Sequence, residues 1–265
     1  MAEPEKKIEY PWHKDYFLTG NLAVGNLREN LKARFNINGR IHAETLLFTT
    51  GAITGFAAQM AAAKRCKLAG KPIIRWIPPT PPESNEFLFV QTNTGKKFYF
   101  GDWLNCYLSP QPGPQRMTLW GYAAGAAHQQ GVPAEELNSM VNDMYSHTSK
   151  TVGHDNYGVP RVPAENQPQL DLYQALKIGW PFAQQILTLP LSKQIPKVPP
   201  EREEVLDEEY WPAVLTLTAS QFMMLVKDIL KPKIGLALVM EGAIAASKIE
   251  ASSWESVTFG EPKTS

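Results

Sequence analysis

The chain has 265 residues, 43% of them hydrophobic and 20% charged, and its 26 basic and 26 acidic side chains leave no net charge. A chain of this length buries a sizeable core without covalent staples. The balanced charge argues against nucleic-acid binding through a basic face, because such binding is driven by phosphate neutralisation. The two cysteines, Cys66 and Cys106, stand far apart without a CxxC partner. A disulfide framework is therefore not expected, and a reducing cytoplasm is the simplest setting.

Residues 1–10 are charged and lack an apolar run, so they read as a flexible terminus rather than a signal peptide. From Asn21 to Phe35, Leu22, Leu27 and Leu31 recur at helical spacing, and Asn36 and Gly39 supply a stop and restart. The segment His42–Ala63 carries two stripes. Leu46, Ile53 and Met60 are large and apolar; Gly51, Gly55, Ala58 and Ala62 are small enough for another backbone to approach. It is the one stretch of membrane-spanning length, but its Glu44, Gln59, threonines and glycines favour a buried core helix over a span.

Proline then interrupts the helical pattern at Pro72, Pro78, Pro79, Pro81 and Pro82. The aromatic and branched runs Phe87–Gln91 and Lys97–Phe100, separated by Asn93-Thr94-Gly95, predict one β-hairpin at about 85–100. A short helix holding Cys106 follows Asp102. Beyond the prolines at 110, 112 and 114, residues 116–130 form a second small-residue helix. Its Gly121 and Gly125 echo Gly51 and Gly55, which makes it the expected close partner of the first glycine stripe, with His128 packed between them.

Pro133–Lys150 is the clearest amphipathic helix, with Glu135 and Glu136 in its first turn and Leu137, Met140, Val141 and Met144 on one face. Leu170–Leu189 is a further helix, with a kink expected at Pro181. The proline-rich segment 190–206 reads as a strap and a point where the domain could divide. Ala213–Leu230 and Ile234–Ile249 are the last helices, split by Lys231-Pro232, and 251–265 reads as a flexible tail. The expected fold is mainly α: a multi-helix orthogonal or bundle-like domain over 11–250 with one hairpin and proline-rich connections.

No complete catalytic motif is present: GxSxG, GxGxxG, HExxH, the P-loop and the EF-hand loop are all missing. His42-Ala43-Glu44 resembles the His-x-Glu half of the zinc deaminase site, but the Pro-Cys-x-x-Cys half is absent, so that site is rejected, no metal site is assigned and the sequence names no cofactor. On a helical wheel of about 100° per residue Glu44 falls on the glycine stripe and His42 nearly opposite, so the two are not expected to meet. The polar stretch Ser146–Gly158 is the densest group of reactive side chains, with His147, Lys150, His154, Asp155 and Tyr157, and reads as a loop.

These features support two functions. The first is a non-enzymatic binding or assembly module that self-associates, most simply as a two-fold dimer, and takes a protein or small-molecule partner. The second is a hydrolase or lyase using His147, His154 and Asp155, with Glu44 joining across the fold.

Overall fold

The computed structural model describes residues 17–37, 39–78, 80, 82, 86–109, 117–195 and 204–251. Residues 1–10, the tail 251–265 apart from Ala251, the prolines 110–114 and residues 196–203 of the proline-rich segment lie outside the described residues. Helix α1 (Phe17–Arg34) buries Ala23, Val24, Leu27 and Leu31 along one side. A minimal ladder follows, β1 (Asn36–Ile37) against β2 (Arg40–Ile41), around Gly39 at φ +79°.

The two-striped segment folds as α2 (Ala43–Leu68), and nearly every side chain from Thr45 to Ala62 is buried. Among the described residues it is the one helix long and apolar enough to cross a membrane, at mean hydropathy 1.3. Two of its buried threonines are satisfied by turning back on the helix, whereas the buried Thr49 hydroxyl finds no partner among the described residues. Thr50 and Thr54 each donate, at 2.7 Å, to the carbonyl four residues earlier.

The small sheet follows. Strand β3 (Ile74–Arg75) pairs parallel with β4 (Leu88–Gln91), and β4 pairs antiparallel with β5 (Lys97–Phe100) in the register Leu88–Phe100 to Gln91–Lys97. The predicted hairpin is therefore present and gains a third strand from the proline-rich approach. Next come α3 (Asp102–Leu108), α4 (Leu119–Gln129), α5 (Ala134–Thr151), α6 (Leu172–Leu187), α7 (Leu191–Gln194), α8 (Trp211–Leu225) and α9 (Pro232–Ala246). The domain is mainly α, with α2 at its centre against α3, α6, α8 and α9.

The glycine stripe of α2 has a different partner from the one expected. A methyl group on Gly51 or Gly55 would overlap the carbonyls of Val239 and Ala243, so the backbone of α9 lies directly against α2. Gly242 of α9 completes the seam, where a methyl would come within 2.9 Å of the Phe48 carbonyl. Helix α4 packs on α8 and α9 instead. Gly125 has nothing within 4 Å of an added methyl, and Gly121 meets only the Thr118 hydroxyl. The two stripes look alike because each has small residues four apart, but only the first is an interface. His128 is correspondingly exposed, with Nδ1 2.9 Å from the Val132 carbonyl.

Several boundaries also move. Helix α5 continues to Thr151, so His147 and Lys150 belong to a helix and the polar loop begins only at Val152. Its last turn keeps Thr148 and Thr151 buried by bonding both hydroxyls to earlier carbonyls. Helix α8 stops at Leu225, and α9 begins two residues early because Pro232 suits a first turn that needs no amide donor. Helix α6 runs through Pro181, whose ring faces solvent.

The C-terminal end of α9 fastens the sheet to the helices. Phe98 bridges Ile249, the Tyr99 amide donates to the Lys248 carbonyl at 2.7 Å, and Lys97 pairs with Glu250 at 2.9 Å. From α2, the buried Gln59 amide donates to the carbonyls of Ser247 (2.9 Å) and Ile249 (3.0 Å).

Candidate functional site

The connector between α5 and α6, residues 152–171, is held to the core at spaced points. The Tyr157 hydroxyl is buried and donates to the Ala245 carbonyl at 2.7 Å, and its ring packs edge-on against Phe98. Burial, with Tyr173 nearby, pushes the Tyr157 phenol well above its ordinary range. Arg161 grips the buried Glu241 of α9 through its backbone amide (2.7 Å) and Nε (2.9 Å), and reaches Asp143 of α5 through Nη1 (2.7 Å). That ion pair lets a carboxylate sit inside the core with its oxygens engaged.

Farther on, Asn166 donates to Glu44 at 3.1 Å and the Gln169 amide donates to Thr45 Oγ1 at 2.9 Å. Asp171 then starts α6 with a capping box: its carboxylate accepts from the Gln174 amide, and the Gln174 side chain accepts from the Asp171 amide.

These ties leave a cleft of about 400 Å³ between the two arms of the connector. Phe48, Tyr157 and Leu172 form its floor; Val159, Pro160, Pro168 and Leu170 form its walls. Asp155, Asp171, Gln167 and Tyr173 supply its polar groups. Gly158 bends the chain at the rim with φ +79°, a conformation that glycine adopts without strain. A side chain there would also collide with Leu172. The Tyr173 phenol is raised by burial and by the Asp171 charge.

The residues singled out in the sequence are distributed as follows. Asp155 is exposed on the cleft rim and His154 is exposed beside it. His147 sits half-buried on α5 and does not line the cleft. Glu44 lies in the first turn of α2 and touches the same connector through Asn166, without lining the cleft. Among the described residues no three His, Cys, Asp or Glu side chains gather as a metal-binding group.

His42 and Glu44 do approach, contrary to the helical-wheel reading: His42 Nδ1 is 3.5 Å from Glu44 Oε2. The wheel fails because His42 is the N-cap, with extended backbone, and not a helical residue. Its Nδ1 accepts from the Thr45 amide (3.2 Å) and lies 2.9 Å from Thr45 Oγ1. Because Nδ1 accepts from the Thr45 amide and so carries no proton, the Thr45 hydroxyl is the donor in that contact. This network assigns the ring proton to Nε2 and leaves His42 as a cap.

No family model, curated protein or solved structure matches this chain. Sequence reading missed Asp171 and Tyr173 as site residues. Asp171-x-x-Gln174 was a readable capping signal, but nothing local shows that the capped end faces Tyr157.

Proposed function

We propose that this protein is a non-enzymatic binding module whose helical frame presents the connector cleft to a small ligand. The observation that carries this reading is the cleft itself. It has a volume within the range of about 300–1,000 Å³ typical of ligand sites, a lining rich in aromatic and proline residues, and a few polar groups. Its walls are tied to α2 and α9 by Tyr157, Arg161, Asn166 and Gln169, so little ordering is required on binding. A fragment screen on the isotopically labelled chain tests it. Binders are expected to shift the amides of residues 155–173 together; shifts scattered over the surface, or none, would overturn the proposal.

Self-association belongs to the same reading. Met224 and Leu225, at the end of α8, and Ile229, in the turn after it, are 36, 46 and 72% exposed, apolar surface that a two-fold dimer would cover. Light scattering is expected to report a dimer at micromolar concentration, and a monomer throughout that range would remove this part.

A further inference from the structure

We infer that the connector cleft selects an organic ammonium: a protonated amine on an aromatic or aliphatic body. The inference rests on the binding reading above and concerns what the cleft accepts. Its side-chain inventory is one-sided. Asp155 and Asp171 bring carboxylates, and no lysine, arginine or histidine lines the cleft. Asp171 uses Oδ1 to cap α6, which leaves Oδ2 to accept another donor. Gln167 spends its amide nitrogen on the carbonyls of Pro160 (3.1 Å) and Val162 (3.0 Å), so its oxygen is the group left to offer.

Arg161, next to Pro160 of the wall, is committed to Glu241 and Asp143. A ligand entering here meets acceptors in a lining that holds no basic side chain, beside the tyrosine rings of the floor and wall. An anion would face two carboxylates, of which only Asp171 is engaged, by the amide end of α6. An ammonium would instead gain charge-assisted hydrogen bonds and the attraction of the ring faces, while its body covers the apolar wall.

The test uses the full chain with benzylammonium as probe, and benzyl alcohol and benzoate as its neutral and anionic counterparts, each titrated by amide chemical shift. Benzylammonium is expected to bind at least tenfold more tightly than either counterpart and to shift residues 155–173. Its affinity should weaken as salt screens the carboxylates. The double variant D155N/D171N should abolish the preference; asparagine still caps α6, so the melting temperature reports whether the fold is kept.

Charge selection in the wild-type chain stands as a result even if that variant fails to fold. Equal binding of benzylammonium and benzyl alcohol at the cleft would overturn the ammonium assignment and leave the binding reading in place. If no probe, and no fragment of the screen, shifts these residues, both are overturned.

Discussion

An ammonium with no carboxylate beside it is costly to bury, yet Lys248 is only 3% exposed. Its Nζ lies 4.3 Å from the centre of the Phe100 ring, and burial lowers its pKa to about 8. The unfolded lysine holds its proton to about pH 10.5, so between pH 8 and 10.5 the unfolded chain binds more protons and stability rises with pH. Below pH 8 the full penalty, on the order of 3 kcal/mol, is present. Lys248→Met is expected to raise the urea midpoint at pH 7 and to flatten the rise from pH 8 to 10. Parallel pH profiles for the two proteins would refute the assignment. Gln59 is a second residue whose role is set by distant partners, since the carbonyls it satisfies lie about 190 positions away. Gln59→Leu leaves both buried and unpaired and should cost about 3 kcal/mol in urea unfolding. A loss under about 1 kcal/mol would mean that water or another donor replaces the amide.

At the scale of elements, the α2–α9 seam and helix α4 make opposite predictions from similar sequences. Gly55→Ala drives a methyl into the backbone of α9, which cannot rotate aside, and should cost about 3 kcal/mol or more. Gly125→Ala meets nothing and should stabilise by about 0.5–1 kcal/mol, because alanine loses less backbone freedom in a helix. Thermal unfolding of the two variants checks the contrast, and two losses of similar size would contradict the seam. The helices and the hairpin were legible because apolar period and turn residues are local signals, as Leu137, Met144 and Gly95 show. Their pairing was not, because a stripe of small residues permits close approach without naming the partner. The candidate site was legible in part for the same reason. The polar stretch flagged Asp155 and Tyr157, while Asp171 and Tyr173 join them only through the fold of the connector.

Across the whole molecule, the fold is a helical core with a small sheet and a connector attached to it, and α9 is the element that holds both. It binds the connector through Glu241 and Ala245, and the residues just after it bind the sheet through Lys248, Ile249 and Glu250. Hydrogen bonds within α2 and α9 lie in a packed interior and open only with the whole chain. The sheet has short strands, and its β3 is two residues long, with Arg75 exposed. It therefore has less buried area to lose on opening. Native-state hydrogen exchange followed by mass spectrometry should show three tiers. Peptides from 46–58 and 236–246 should exchange at the global unfolding free energy. Those from 157–171 should exchange somewhat below it, since their anchors are side-chain bonds to the core. Those from 86–100 should exchange lowest. Gln59→Leu should lower protection in 86–100 as well as global stability, because it loosens the carbonyls at the end of α9 where the sheet is fastened. If 86–100 exchanges together with 46–58 at every urea concentration, the sheet is an integral part of the cooperative core and the tiered arrangement is wrong.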